Sequence, residues 1–541
     1  MRTVYALYAN GILAPHRIEF QIPRLQRLMT SNAAENHGIT PPQIVAIYVL
    51  GLVSLLFSVW AVTRGWYNSI YDFHGFRQAQ TMLAAQSIRD GGSVLRYETP
   101  VFGPPWTFPM EFPTYEALVG YLSRLFSTPL DQTGRFVSVA FYYLSYLPLA
   151  SIMGRLGLRR VLVMPTLAVF AASPFYVFMS RLVLMESTAL FFSLIYLDSV
   201  LALWTDREVN SRFWRHTILA AVCGMLASMT KVTTFTPYWV LAVGIIAWKL
   251  GKQRPCTRRD VFRFGAITLA WVLLPAAATG LWVRFSDAIK RENPITVNLT
   301  SGALKTWNFG TLHQRLQFHE YWRFRSAITT FVGSNGLLLL ILIVAAILAP
   351  RTLRFFLFCV TMYFITIEIF FNLHYVHQYY DYANAVFIIA GVGYILANLI
   401  ELPDKGGWIG VVLLALTLMT CGYTYRRGYY ELQTTNAPGK PAAAALIDRM
   451  TRPDQLILVF GWGYSSELPY QSHRRAIMAS RPESIGGLES VIDGVGRENI
   501  GMVVACYGPD PRLASTLHKL AMPASTVIHV DGCDLYRRSP V

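Results

Sequence analysis

Residues 42–63 read PQIVAIYVLGLVSLLFSVWAVT, a run that contains no Asp, Glu, Lys or Arg. A helix rises about 1.5 Å per residue, so this run is long enough to cross a hydrocarbon layer of about 30 Å. Trp60 stands near its end, where membrane proteins place an interfacial belt of aromatic side chains. The stretch therefore predicts a membrane-spanning helix.

Apolar runs of this kind recur along the whole chain. Of its 541 residues, 53% are hydrophobic and 14% are charged, whereas a soluble protein carries about 25% charged residues. The mean hydropathy is +0.37. We predict about eleven spans, at 42–63, 137–154, 161–179, 183–204, 217–230, 233–250, 264–283, 334–349, 355–373, 383–401 and 407–422. The fold class is therefore a polytopic α-helical membrane protein.

Basic residues predict how the spans are oriented. Arg and Lys crowd the links at 155–160, 207–215 and 249–263 and follow the eighth span at 351–354. With eleven spans these links all fall on one side, which the positive-inside rule makes cytoplasmic. The formal net charge of +16 then reflects loop orientation and contact with anionic membrane lipid, and nucleic acid is not expected as a partner.

The predicted number and positions of the spans divide the chain into three parts. Residues 1–41 form a cytoplasmic N-terminal segment, 42–422 the transmembrane domain, and 423–541 an outer domain. The outer side also carries a long first loop, 64–136, and a second loop at about 284–333. Because an odd number of spans places the tail outside, one miscounted span would reverse that prediction.

The tail has the pattern of a small α/β domain. Short apolar strands are predicted at 456–460, 502–506 and 527–530, with helices at 484–496 and 510–521 between them. Cys506 and Cys533 lie in this tail, where a disulfide is one open outcome outside the cytoplasm. No CxxC pair and no Cys/His metal spacing is present in the sequence.

Four groups of polar residues fall at predicted outer helix ends. They are the segment 71–81 with Asp72, His74, Arg77 and Gln78; Arg181 with Glu186; Thr230–Lys231; and the segment 374–382 with His377, Tyr379 and Tyr380. Each group also has a purely structural interpretation. In the order given, these are a polar helix cap in which Asp72 pairs with Arg77, an ion pair buried within the helix bundle, a lysine whose ammonium group reaches water, and aromatic side chains of the interfacial belt. The two histidines of the last group leave a metal site as a further alternative. Because all four groups fall on one side, we predict one shared cavity there.

These residues, taken in order, resemble a known family. His74–Thr81 (HGFRQAQT) is similar to the H-x-W-R-Q-x-D-T segment of integral-membrane glycosyltransferases of the GT-C fold, in the protein-mannosyltransferase and aminoarabinose-transferase family (glycosyltransferase family 39). Glu111–Tyr115 resembles their E-F-P-x-Y, Gly134–Ser138 their G-R-x-x-S, Thr230–Lys231 their T-K and His377–Tyr380 their H-x-Y-Y. The likeness covers roughly residues 60–400, and no single motif in it is specific. Phe76, Gln80 and Glu186 depart from the family pattern.

The resemblance implies a function and a role for each residue. The donor would be a polyprenyl-phosphate-linked sugar, and the acceptor a lipid, a glycan or a protein. Asp72 would be the general base, and Glu186, the second residue expected in catalysis, would orient Arg181 or the acceptor. Arg77, Arg181 and Lys231 would bind the donor phosphate, while His74, Gln78, Glu111, His377, Tyr379 and Tyr380 would bind substrate. Inversion in one displacement requires no organic cofactor; a divalent metal is compatible with the site, but no spacing calls for one.

The resemblance also implies a place in the cell and leaves two alternatives open. The protein would be a multi-pass protein of the bacterial inner membrane, with its active site and C-terminal domain in the periplasm. One alternative is a polymerase or ligase of surface polysaccharide with the same fold, which would use a lipid pyrophosphate. The other is a transporter of lipid-linked sugars, for which charges at mid-membrane would be expected.

Overall fold

A computed structural model describes residues 39–205, 208–252, 257–435, 441–480, 488–507, 511–522 and 527–537. Almost all of the predicted cytoplasmic segment 1–41 therefore lies outside the described residues. The first helix, Pro41–Thr63, begins where Gln43 turns back to accept a hydrogen bond from the Thr40 amide at 2.7 Å. Pro41 at its first position lacks only an N–H that the helix would leave unpaired.

Helices occupy all eleven predicted apolar runs, but the count of eleven crossings is not confirmed. Within the described residues, seven helices are long and apolar enough to cross a membrane: Pro41–Thr63, Leu130–Arg155, Glu186–Trp204, Arg258–Lys290, Thr352–Ile369, Gln378–Ile400 and Gly407–Gly428. Phe318–Val332 and Asn335–Leu348, bent by 82°, would make an eighth if they are counted as one span. The remaining runs form the helices Arg160–Ala172, Pro174–Met179, Ser211–Thr230 and Val232–Lys252.

Shorter helices lie between the long ones. The first loop contains Gly75–Arg89 and Thr114–Phe126, and the second contains Lys305–Phe309 and Leu312–Leu316. Phe371–Val376 and the 3₁₀ turn Gln378–Tyr382 precede the helix Ala385–Ile400. The tail adds Tyr430–Thr434, Ala442–Met450, Glu467–Ser472, Leu488–Val495 and Pro511–Lys519.

The tail folds into a five-stranded sheet of order β2-β1-β3-β5-β4. The strands are β1 Leu456–Phe460, β2 Ala476–Ala479, β3 Ile500–Ala505, β4 Val527–Val530 and β5 Cys533–Arg537. β1 pairs in parallel with β2 and β3, while β5 runs antiparallel to β3 and β4. β1 and β3 are buried at every position, as expected for parallel strands covered on both faces. Cys506 and Cys533 form a disulfide, and the small C-terminal α/β fold is confirmed.

The first loop and the tail pack against each other. The amides of Ala476 and Met478 on β2 donate to the carbonyls of Pro100 and Val101 at 2.9 and 3.0 Å. The loop thus covers an edge strand that would otherwise offer unpaired backbone groups. Side chains from both parts, including Met82, Phe102 and Leu468, share one hydrophobic core. The first loop is therefore held by the sheet as well as by the membrane helices.

Candidate functional site

The helix Gly75–Arg89 positions several of the predicted site residues. His74 precedes it in the left-handed conformation, with φ of 50°, and its carbonyl accepts the amides of Arg77 and Gln78 at 2.9 and 3.1 Å. Gly75 follows because a side chain there would collide with Glu467 and Tyr71. This tight entry turns Arg77 and Gln78 toward the protein interior, where both are buried.

Asp72 and Arg181 form a buried pair, with neither side chain exposed to solvent. Arg135 lies 3.9 Å from the same carboxylate oxygen. The Arg181 guanidinium also donates to the Gly65 carbonyl at 3.0 Å, and Arg135 donates to the Asn68 carbonyl at 2.7 Å. The alternative pairing of Asp72 with Arg77 is not observed among the described contacts. The buried pair therefore fixes the chain that leads into the helix at residue 75.

Gln78 is fully occupied by structural hydrogen bonds. Its amide nitrogen donates to the carbonyls of Ile70 and Phe73, both at 2.6 Å, and its oxygen accepts the Val183 amide at 2.8 Å. A substrate would have to displace one of these bonds in order to reach the side chain. The substrate-binding role predicted for Gln78 stays a prediction, and the geometry supports a positioning role instead.

Four ionisable side chains of alternating sign form a second group, the charge chain Arg77–Glu111–Lys231–Glu186. Glu111 Oε1 lies 2.5 Å from Arg77 Nη2 and 3.2 Å from Lys231 Nζ. Lys231 Nζ lies 3.2 Å from Glu186 Oε1, an ion pair by distance that lacks hydrogen-bond geometry. Arg181 is therefore not the partner of Glu186. Lys231 is 2% exposed, which excludes the alternative in which it reaches water.

Local structure brings the charge chain together. Lys231 is the extended residue between the helices Ser211–Thr230 and Val232–Lys252, and Glu186 begins its own helix, where a carboxylate is stabilised by the helix dipole. The amide of Phe112 donates to the Met229 carbonyl at 3.2 Å, which sets the neighbouring Glu111 beside Lys231. Burial raises the pKa of Glu111, but Arg77 and Lys231 outweigh burial and hold that pKa well below its usual range.

Rings cover one side of the charge chain, and we call His74, His377, Tyr379 and Tyr380 the aromatic wall. Lys231 Nζ lies 4.9 Å from the ring centre of Tyr380 and 5.4 Å from that of Tyr379, within cation–π range. His377 stacks on Tyr379 at 5.2 Å, and His74 meets Tyr379 edge-on at 4.9 Å. Burial lowers the pKa of both histidines to about 4, so both are neutral at pH 7.

The neighbouring His374 has a different partner. Its Nδ1 lies 2.9 Å from Asp381 Oδ1, whereas His377 stacks on Tyr379. Among the residues that the structure describes, no group of three His, Cys, Asp or Glu side chains is placed to hold a metal ion. The observed partners give no support to the metal alternative for the two histidines.

Three residues of this region were not singled out from the sequence. Glu116, five residues after Glu111, is 3% exposed and lies beside the charge chain. Glu467 of the tail accepts the Phe76 amide, and Tyr464 packs edge-on against the Phe76 ring at 5.3 Å. In sequence, Glu116 looks like an ordinary acid in the first turn of a helix, and nothing in the tail indicates a contact with residue 76.

The arrangement places two cations around one carboxylate oxygen, beside stacked rings. Glu111 Oε1 occupies the position between Arg77 and Lys231 that a phosphate oxygen would suit. Met185 Sδ lies 3.9 Å from Arg77 Nη2 and 3.8 Å from Lys231 Nζ, so the residues next to Glu186 close the far side. Asp72 and Arg181 lie in the separate buried pair.

Comparison with known proteins identifies the fold. No protein-family profile and no curated protein sequence matches the chain. The structure is similar to ArnT from Cupriavidus metallidurans bound to undecaprenyl phosphate, with a TM-score of 0.55 and 13% identity over 92% of this chain and 98% of that one. It is also similar to the archaeal oligosaccharyltransferase AglB from Archaeoglobus fulgidus in complex with an inhibitory peptide and a dolichol-phosphate, with a TM-score of 0.51 and 12% identity over 84% and 69% of the two chains. These likenesses confirm the predicted GT-C fold.

Proposed function

We propose that this protein is a membrane glycosyltransferase that moves a sugar from a polyprenyl-phosphate-linked donor to a hydroxyl of a lipid, glycan or protein acceptor. The observation that carries the proposal is the charge chain, in which the buried cations Arg77 and Lys231 share one oxygen of Glu111. Two proteins of the same fold hold the corresponding lipids, undecaprenyl phosphate in ArnT and dolichol-phosphate in AglB.

The donor phosphate would replace Glu111 between the two cations. Glu111 is the most exposed member of the charge chain, with 21% of its side chain accessible, so it can swing away at the least cost. A phosphate bound by Arg77 and Lys231 gains charge-assisted hydrogen bonds. The same contacts stabilise the negative charge that develops as the lipid phosphate leaves.

The aromatic wall would hold the sugar. Tyr379 and Tyr380, with ring centres 4.6 Å apart, lie directly beside Lys231, so a sugar attached to the bound phosphate would meet their faces. Neutral His74 and His377 can then accept or donate hydrogen bonds to sugar hydroxyls without adding charge. Attack by the acceptor on the opposite side of the ring would invert the anomeric centre.

The buried pair would have a supporting role. The family resemblance implies that Asp72 is the general base, but its carboxylate would first have to leave Arg181, and neither side chain is exposed. Arg181, held by Asp72 and the Gly65 carbonyl, would likewise reach a phosphate only after rearrangement. We further propose that the site faces the outer side of a bacterial inner membrane, on the basis of the basic loops described above.

Turnover by the purified protein tests the proposal. Wild-type protein in lipid nanodiscs is incubated with undecaprenyl-phosphate sugars, and release of undecaprenyl phosphate is followed by mass spectrometry. Lys231→Gln should reduce release about 10- to 150-fold, because one charge-assisted contact is worth about 1.5 to 3 kcal/mol and each 1.36 kcal/mol is about a factor of ten in rate. The matched control is Lys249→Gln, which removes a cation from the helix that follows Lys231, about 27 Å further along at about 1.5 Å per residue.

Each outcome has a distinct meaning. Release of lipid phosphate that depends on Lys231 and not on Lys249 supports the proposal. Turnover of an added undecaprenyl-pyrophosphate glycan instead, with release of the lipid pyrophosphate, would favour the polymerase or ligase alternative. Movement of the intact donor across the membrane of sealed vesicles without release would favour the transporter and overturn the proposed reaction.

A further inference from the structure

A small polar cavity lies beside the charge chain, between the helix Gly75–Arg89 and the outer-loop residues 97–116. Its lining includes Arg77, Tyr97, Glu111 and Glu116. Two of these residues, Arg77 and Glu111, belong to the proposed phosphate site. The cavity therefore adjoins the proposed phosphate site.

Glu116 is the cavity residue whose chemistry is unexplained. Its side chain comes from the helix Thr114–Phe126 and is 3% exposed. Its Oε2 is buried and has no hydrogen-bond partner, and no ion pair with Glu116 is found within the described ranges. A buried carboxylate oxygen without a hydrogen-bond partner is costly, so it calls for a functional explanation.

Three other carboxylates near the site are each held by a cation. Asp72 contacts Arg181, Glu111 contacts both Arg77 and Lys231, and Glu186 contacts Lys231. A carboxylate held by a cation is a weak base, because the cation stabilises its charged form. Glu116 lacks such a partner, so it is the carboxyl group best suited to take up a proton.

We propose that Glu116 is the general base that deprotonates the acceptor hydroxyl, which would enter this cavity, in place of Asp72. The inference rests on the glycosyl transfer proposed above. In the reaction the hydroxyl oxygen forms a bond to the anomeric carbon, and the bond from that carbon to the phosphate oxygen breaks. The phosphate leaves with the electron pair, held by Arg77 and Lys231, and the hydroxyl proton moves to the Glu116 carboxylate.

The surroundings of Glu116 tune its basicity. Burial raises its pKa to about 8, with a further rise from Glu111, while its own backbone amide, Arg77 and Lys231 lower it. The titratable or charged groups that face it are Arg77, Tyr97, Glu111, Tyr115 and Lys231. A base with a pKa near the working pH is deprotonated in a large share of the molecules and is still basic enough to accept a proton. The low pKa of Glu111 makes that group a poor proton acceptor by comparison.

The wild-type pH profile is the first test, and it does not depend on any variant folding. Glu116 must be deprotonated in order to act, so kcat/KM should rise about tenfold per pH unit and level off near the Glu116 pKa of about 8. The substrate is an undecaprenyl-phosphate sugar that the protein turns over. A flat profile between pH 6 and 9 overturns the inference while leaving the proposed transfer intact.

Substitution is the second test. Glu116→Gln keeps the size of the side chain and should lower kcat by about 10²- to 10⁴-fold, the usual contribution of a general base, and it should abolish the rise with pH. Binding of undecaprenyl phosphate should stay within twofold of wild type. Glu98→Gln, an outer-loop acid whose side chain is 36% exposed and paired with Arg475, should leave rate and profile unchanged.

The outcomes separate this inference from the proposed function. Wild-type turnover with an unaffected Glu116→Gln variant overturns the role of Glu116 alone. Loss of the pH-dependent rise in Asp72→Asn, together with its retention in Glu116→Gln, would return the role to Asp72 and also overturn the inference. If the wild-type protein releases no lipid phosphate from any donor, the proposed function and this inference fail together.

Discussion

Replacing Lys231 with glutamine should destabilise the protein because it leaves a carboxylate buried without a cation. Lys231 neutralises Glu111 and Glu186, but Glu111 keeps Arg77 at 2.5 Å. The orphaned group is therefore Glu186, whose side chain is 4% exposed and whose oxygens accept no hydrogen bond within the described part of the chain. Removing one partner of a buried ion pair costs about 3 to 5 kcal/mol.

A double substitution separates this structural cost from the functional one. In Lys231→Gln with Glu186→Gln the buried charge is gone, so at least half of the lost stability should return. Turnover should not return, because the cation for the donor phosphate is still missing. Thermal unfolding in detergent and release of lipid phosphate are measured on wild type, both single variants and the double variant, since only the full cycle isolates the coupling.

Two results would refute this reasoning. If Lys231→Gln unfolds at the wild-type temperature, Lys231 is not the counterion of a buried carboxylate. If the double variant is no more stable than Lys231→Gln, the cost comes from something other than the charge of Glu186.

Three further perturbations follow from the same structure. Asp72→Asn should lower the unfolding temperature through a cost of about 3 kcal/mol or more, because Arg181 is fully buried and loses its counterion; unchanged thermal unfolding would contradict the buried pair. Cys506→Ser with Cys533→Ser should cost about 3 to 4 kcal/mol from loop-closure entropy across a 27-residue separation, while turnover at 25 °C persists, as measured by unfolding and lipid-phosphate release. His377 has a pKa of about 4 in the folded protein, so as the pH falls the unfolded chain takes up the proton first. Wild type should therefore lose stability relative to His377→Gln between pH 6.5 and 4. Unfolding temperatures that change with pH by the same amount in both proteins would contradict the lowered pKa.

The membrane architecture could be predicted because each span is decided locally. A run such as 42–63 has the composition and length that lipid requires, whatever the rest of the chain does. The number of crossings could not be settled in this way. The run at 334–349 belongs to a pair of helices bent by 82°, and that at 161–179 is broken between Ala172 and Pro174, features that depend on packing rather than composition.

The sheet was only partly predictable for a related reason. β1, β3 and β4 coincide with predicted strands, whereas β2, which reads AIMA, and β5, which reads CDLYR, were not predicted. Such strands are stabilised by their neighbours: β2 by the loop at 100–103, and β5 by antiparallel pairing on both sides. Contacts between distant parts of the chain carry no local signal.

The candidate site was also only partly predictable from the sequence. Charged residues in apolar surroundings, such as Arg181 and Lys231, were visible because burying a charge is costly and needs a reason. Their partners were not visible, since Asp72 lies 109 residues from Arg181 and Glu111 lies 120 residues from Lys231. Glu116 was missed because its burial depends on how the first loop, residues 64–136, folds around it.

Binding of the donor lipid tests the central claim most directly. Wild-type protein, Lys231→Gln and Lys249→Gln are purified from the same membranes, and the lipids they retain are identified by mass spectrometry. Retention of a polyprenyl monophosphate by wild type and Lys249→Gln, with loss of at least nine-tenths of it in Lys231→Gln, is the predicted result. Equal retention by all three proteins, or a lipid without a phosphate group in its place, would contradict the assignment of the charge chain as the phosphate site.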